Sequence, residues 1–365
     1  MKILRFAVAA LCGLLALTAH SQEEKPPVRI AIIGLSHDHA YGFLPRLQQR
    51  KDVVLAGIVE TNTDLIQRYS KRFHLDSSLF FPSAEALLAK TNIQAVAAFG
   101  SVFEHRQVVE EFAPHHIDVM MEKPLAVNMK HARAIEAAAK KYGIQVIVNY
   151  ETTWYAGNKA AYDILQSGQI GDMRKFVAHY GHNGPKEIGC STNFLNWLTD
   201  PVLNGGGAVV DFGCYGADWI TWLMHGEAPT SVFAVTQQIK PNIYPKVDDE
   251  ATIVLTYPKA QAIIQASWNW PFNRKDMEIY GRTGYVIVPN PDLLRVRKPG
   301  ENQDHEETPA PLTGPDADPL SYLLAVVRGE IQPSGPSSLA VNLTAMEILD
   351  AARESARTGK RVELK

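Results

Sequence analysis

Residues 28–44 read VRIAIIGLSHDHAYGFL, a β-branched run that ends in glycine and passes into a polar turn. Val28–Ile33 has the continuous apolar character of a strand buried on both faces. Gly34 supplies the tight turn that a phosphate loop needs ahead of a helix. A dinucleotide fingerprint, G-x-G-x-x-G, wants glycines where this chain has Gly34, Ser36 and His39. Ser36 is small enough for a pyrophosphate to approach the helix N-terminus; His39 departs from the pattern. Glu60 ends the next β-branched run, VVLAGIVE, at the spacing of the acid that bonds an adenosine ribose. A carboxylate there accepts from the ribose hydroxyls of NAD and repels the extra phosphate of NADP. NAD is therefore the cofactor expected.

Working outward, the runs IQAVAAFG, IDVMMEKP and IQVIVNY alternate with helical stretches such as TDLIQRYSKRF and EHRQVVEEF. NMKHARAIEAAAKKYG carries Asn128 as its N-terminal cap and Gly143 as its stop. The alternation predicts βαβ units and a doubly wound parallel sheet over residues 28–150, with ligands beyond the carboxyl ends of the strands. After Tyr150 the texture changes. SVFAVTQQI, EATIVLTY, QAIIQASWNW and DMEIYGRTGYVIV alternate with a period of two and are separated by turn signals. They predict hairpins of an open, mainly antiparallel sheet in a second α/β domain over residues 151–365. KPGENQDHEETPAPLTGPDADP reads as an exposed loop, followed by two closing helices.

With 365 residues, 46% hydrophobic and 21% charged, the chain suits two ordinary globular domains. A net charge of -3 gives no basis for a nucleic-acid partner. The first residues read as a secretory signal peptide, 1–21. Lys2 and Arg5 precede the apolar run Phe6–Leu17, and Ala19 and Ser21 suit cleavage before Gln22. The expectation is a periplasmic or secreted protein with no membrane association after cleavage. Cys12 would leave with the signal, and Cys190 and Cys214 alone make no disulfide framework.

Lys123 stands at the end of a strand in VMMEKPLA, held extended by Pro124, and the Lys–Pro bond is a candidate for the cis form. In NGGGAVVDFGCYGADW, Asp211 and Tyr215 are four residues apart, one helical face. A cationic Lys123 beside Tyr215 would lower the phenol's pKa and let it act as a general base. His37, Asp38 and His39 are read as phosphate contacts or turn polarity rather than as a metal site. All six tryptophans follow the first domain. Trp154 and Trp197 lie in loop-like stretches where an indole face could meet a sugar ring, and His179 and His182 are candidates for hydroxyl contacts.

Glu122-Lys123-Pro124, the GGG-x3-D-x-G-x-Y of Gly205 to Tyr215 and the closing SARTGKRVEL together resemble the Gfo/Idh/MocA oxidoreductases. The resemblance runs from Val28 to the C-terminal helix. It implies a Rossmann domain, a second domain whose open sheet mediates oligomers, and hydride exchange between NAD(P) and a sugar or polyol. Carried over, Lys123 matches the catalytic lysine and Asp211 the substrate-orienting acid. Tyr215 stands where many members have histidine and others a proton-carrying tyrosine. Gly100, Ser101 and His105 match the loop that passes the cofactor, and Glu122 and Lys123 are placed beside it. The resemblance thus implies a homo-oligomeric (dimeric or tetrameric), NAD-dependent carbohydrate oxidoreductase. Two other readings stay open: an exported glycosidase or lyase that cycles tightly bound NAD, and a non-catalytic sugar-binding protein on a dehydrogenase scaffold.

Overall fold

The structure, a computed structural model, describes residues 25–364. The expected signal peptide and Cys12 lie outside the described residues. The first domain runs β1 (Val28–Ile33), α1 (Ala40–Gln48), β2 (Val53–Val59), α2 (Thr63–Phe73), β3 (Phe80–Phe81) and α3 (Ala84–Leu88). It continues with β4 (Ala95–Ala98), α4 (His105–Phe112), β5 (Asp118–Glu122), α5 (Met129–Tyr142) and β6 (Val146–Asn149). All six strands pair parallel, in the order β3-β2-β1-β4-β5-β6. The order reverses between β1 and β4, which opens a crevice at their carboxyl ends. The expected punctuation of α5 is present: Asn128 accepts from the His131 amide at 3.0 Å, and Gly143 ends the helix at φ 68°.

The second domain runs α6 (Ala156–Gln166), β7 (Met173–Gly181), α7 (Thr192–Leu198), α8 (Ala208–Asp211), α9 (Gly213–Leu223) and β8 (Ser231–Gln237). Then come β9 (Glu250–Thr256), β10 (Gln261–Ser267), β11 (Arg274–Gly281), β12 (Tyr285–Asn290), β13 (Leu293–Arg297) and β14 (His305–Glu307). α10 (Pro319–Val327), α11 (Leu339–Thr358) and β15 (Val362–Glu363) follow in the chain. Its nine strands are ordered β14-β13-β12-β11-β7-β10-β9-β8-β15, antiparallel except for β7 beside β10. Strand alternation sends Phe176, Ala178 and Tyr180 into the core that includes α9 and α11, and leaves Phe233 and Val235 exposed on the other side.

Two boundaries differ from the sequence reading. The apolar helix expected across Asp211 and Tyr215 is broken at Phe212, so α8 and α9 meet at an angle-changing residue rather than continuing. α10 belongs to the first domain's core: Leu320, Leu323 and Leu324 pack with Ile30, Ile32 and Leu44. Among the described residues no helix is long and apolar enough to cross a membrane.

Candidate active site

The crevice at the β1 and β4 ends is built by close backbone approach. Gly34 has φ 76°, and a Cβ there would lie 3.0 Å from the Gly100 Cα and amide nitrogen. Only glycine fits both demands. A cavity of about 510 Å³ follows, lined by Gly34, Ser36, Glu60, Gly100 and His105, with Asn193 and Asn196 from the second domain. The Glu60 carboxylate accepts from the amides of Leu35 (2.9 Å), Thr61 (2.9 Å) and Asn62 (2.8 Å), so it fixes the turn while facing the cavity. His105 Nδ1 is tied to the carbonyls of Pro124 (3.1 Å) and Leu125 (3.3 Å). Burial pulls its imidazole down to about 4, and its Nε2 is buried without a partner among the described residues. A glycine cradle ahead of a helix and a strand-end carboxylate fit a dinucleotide, and the unpartnered His105 belongs to the same cavity lining.

Three expected cofactor contacts are placed differently. The Ser101 hydroxyl donates to Glu104 at 2.7 Å and shapes the turn before α4. His37 is buried, its ring 4.6 Å from Phe194 and 5.4 Å from Trp197, so it packs under α7 instead of reaching phosphate. Burial, with His39 and Lys123 nearby, holds it neutral, well below the usual histidine range. The Glu122 side chain points to His39 and Asn149, away from the dinucleotide cavity.

At the end of β5, Lys123 precedes a cis proline and is 6% exposed. Its ammonium donates to the Asp211 carboxylate and, at 2.9 Å, to the Asp211 carbonyl. The other Asp211 oxygen accepts from Trp268 Nε1 at 2.9 Å. Burial opposes both charges, but each holds the other: the Lys123 pKa is raised and that of Asp211 lowered. The same ammonium lies 5.1 Å from the Tyr215 ring centroid, and that of Lys275 5.5 Å from it. Lys123 thus meets the ring face while its hydrogen bonds go to Asp211. The expected lowering of the phenol is not what results: burial first, then the Glu151 charge, pushes Tyr215 well above its ordinary value. The three residues named from the sequence lie together, but the ion pair is Lys123 with Asp211.

Of the aromatic and histidine candidates, His182 lies at the centre, edge-on to Phe212 at 4.9 Å, with burial pulling it down to about 4. His179 does not. Three residues earlier on β7 it faces the open side of the sheet, paired with Asp276 at 2.8 Å. Trp197 sits on α7, not in a loop, and its Nε1 donates to the Ser36 carbonyl at 3.4 Å, covering the phosphate turn. Trp154 donates to Asn149 at 2.9 Å beside His39. Unforeseen members are Lys275, ion-paired with Glu151, and Trp268. The alternating run QAIIQASWNW contains Trp268 and Lys275 immediately precedes DMEIYG, but neither run announces which face these side chains occupy.

Residues 28–150 match "Oxidoreductase family, NAD-binding Rossmann fold" and residues 158–287 match "GFO/IDH/MocA C-terminal domain". The chain belongs to the Gfo/Idh/MocA oxidoreductases. Among relatives of this oxidoreductase, the D-apiose dehydrogenase of Rhizobium rhizogenes is 25% identical over 339 residues, 86% of this chain and 92% of that one. The trans-1,2-dihydrobenzene-1,2-diol dehydrogenase of Xenopus laevis is 26% identical over 61% of this chain. That match spans 65% of the frog protein, just under two thirds of its length. The aldose-aldose oxidoreductase of Caulobacter crescentus, solved with glycerol, superposes with a TM-score of 0.77 at 22% identity, covering 93% of this chain and 100% of that one. The fold of this Gfo/Idh/MocA chain is therefore shared across nearly its whole described length, and its first domain is an NAD-binding Rossmann domain.

Proposed function

We propose that the chain is an NAD-dependent oxidoreductase acting on a secondary alcohol or ketone of a sugar or polyol. The observation that carries this is the buried Lys123–Asp211 pair against Tyr215, at the strand ends beside the dinucleotide cavity. When bound, NAD supplies or accepts hydride. Gly34, Ser36, Glu60, Gly100 and His105 would hold it. Tyr215, kept protonated by burial, gives its proton to a carbonyl oxygen; in the oxidative direction the tyrosinate, formed by loss of that proton to solvent, takes the proton of the alcohol. Lys123 keeps Asp211 ionised, and the remaining lone pairs of Asp211 orient a substrate hydroxyl. His182 and Lys275 offer further hydrogen bonds to the same substrate. The named relatives support the sugar or polyol class.

The signal-like first 21 residues favour a second reading, in which NAD is held tightly and recycled within each turnover of an exported glycosidase or lyase. Exposed Phe233 and Val235 on β8 support association through the open sheet. The test is mass spectrometry of denatured purified protein for co-purifying NAD, followed by mixing with D-glucose, D-xylose, myo-inositol and methyl D-glucosides while following absorbance at 340 nm. Net NADH accumulation supports the dehydrogenase; stoichiometric NAD with turnover and no accumulation supports the cycling enzyme. No absorbance change with any added or bound dinucleotide and no product would sink both.

A further inference from the structure

We propose that Asn193 and Asn196 are further dinucleotide-binding residues, carried on a strap, α7, that His37 and Asp38 latch over the cofactor. The inference rests on the NAD-dependent reading above. The turn after β1 keeps one fingerprint glycine, Gly34, where three normally serve the turn, the approach of pyrophosphate and helix packing. Asn193 and Asn196 come from the second domain, yet they line the same cavity of about 510 Å³ as Gly34 and Ser36. Three residues apart on α7, they share one side of it. Each carboxamide offers two N–H donors and an acceptor, which suits the phosphate oxygens and ribose hydroxyls of a dinucleotide.

The neighbouring flank of α7 is fastened to the turn itself. Phe194 and Trp197 are buried there and pack edge to face at 4.9 Å. His37 lies against both rings, and its Nδ1 accepts the His39 amide at 3.2 Å, which fixes the imidazole. Trp197 Nε1 reaches the Ser36 carbonyl. Asp38 Oδ2 accepts the amide of Ser191, the N-cap of α7, at 2.7 Å, a charge-assisted bond. Asp38 lines the smaller cavity beside His39, not the dinucleotide cavity, so its charge grips α7 without facing phosphate. Upstream, Lys240 holds the Asn183 carbonyl and the Glu187 carboxylate, each at 2.6 Å. Downstream, the Phe103 amide donates to the Leu203 carbonyl at 2.9 Å. Motion is thereby confined to residues 188–202.

His37 and Asp38 thus exchange direct phosphate contact for a grip on the segment that covers the cavity. For the dinucleotide to leave, the Asp38 bond, the Trp197 bond and the aromatic contacts must open together. The two parts of the device differ in what they touch. Latch contacts form whether the cavity is filled or empty, so loosening them speeds entry and exit alike. Contacts from Asn193 and Asn196 form only with the cofactor, so losing them speeds exit alone.

The experiment uses the full chain freed of dinucleotide on charcoal. Stopped-flow fluorescence follows energy transfer from tryptophan to NADH, on mixing for association and on chasing with excess NAD for release. Asn193→Ala combined with Asn196→Ala should speed release about tenfold or more and leave association unchanged. Asn193 is half-buried and Asn196 exposed, so this variant keeps its fold. Asp38→Ala should speed association and release together by about tenfold, leaving the equilibrium affinity nearly constant. Asp38→Asn retains an oxygen acceptor for the Ser191 amide and should fall between Asp38→Ala and wild type. Unchanged release in the double asparagine variant overturns the proposal. So does faster release without faster association in Asp38→Ala, because nothing then gates entry. Wild type that binds neither NADH nor NAD overturns the dinucleotide reading, and the inference with it. The expected kinetics without a 340 nm change for any sugar support the strap while overturning the oxidoreductase reading.

Discussion

Two strand ends of one sheet each carry a carboxylate, and they are neutralised in opposite ways. Glu60, after β2, is satisfied by three backbone amides; Glu122, at the end of β5, by the side chains of His39 and Asn149. Backbone amides cannot exchange protons at useful rates, so the β2 side of the crevice can only hold and position. Side chains can, and the β5 side adds Lys123, Asp211 and Tyr215 within one packed group. Substitutions on the β2 side should therefore read out as affinity, and those on the β5 side as rate.

Lys123→Met gives the sharpest test. Hydride transfer at saturating NAD should fall by about 10⁴-fold. The variant also leaves buried Asp211 unpaired, so urea unfolding should show a loss of about 3–5 kcal/mol. Unchanged stability would mean that the ion pair is not formed as described. Tyr215→Phe keeps the ring against Tyr150 and Tyr180, 5.4 and 5.2 Å away. Stability should hold while the rate drops by about 10²- to 10³-fold. A wild-type rate would move the proton carrier elsewhere.

His105 belongs to the holding side and makes its contribution through acid sensitivity. Folded, its imidazole titrates at about 4; the ordinary value is 6.5. The unfolded chain binds the proton more readily, so this stability is complete above pH 6.5 and is lost as pH falls towards 4. The linked loss is of order 3 kcal/mol. His105→Gln should flatten the stability curve across that window in denaturant titrations; an unaltered slope would contradict a buried neutral ring. Glu60→Ala should have the smallest effect, weakening NAD binding by about tenfold and narrowing its advantage over NADP in calorimetry. A large loss of rate at saturating NAD would break the contrast between the two strand ends.

The sequence displayed what depends on local spacing. Gly34, Glu60, Lys123 and the Asp211–Tyr215 interval were legible because turns, strand ends and helical periods impose fixed offsets. What depends on parity or on distant partners was not. His179 and His182 look equivalent in VAHYGH, yet only registry with Asp276 reveals that His179 faces away. Lys123 against Tyr215 was expected to tune a phenol, but the nearer partner, Asp211, claims the ammonium. Glu122 and His39 are separated by 83 residues, and nothing in either segment announces the other.

α10 bears on how the chain is made. Leu320, Leu323 and Leu324 fill the same core as β1, and Arg328 donates to the Asp52 carbonyl at 3.2 Å. A polypeptide emerging from a ribosome or a translocon must therefore deliver about nine-tenths of its length before the first domain can close. Until then the nascent parallel sheet keeps an uncovered apolar face, and chaperones have a defined surface to guard. A fragment ending at Tyr150 should aggregate rather than bind NAD, and recover solubility when a peptide spanning residues 315–332 is supplied in trans.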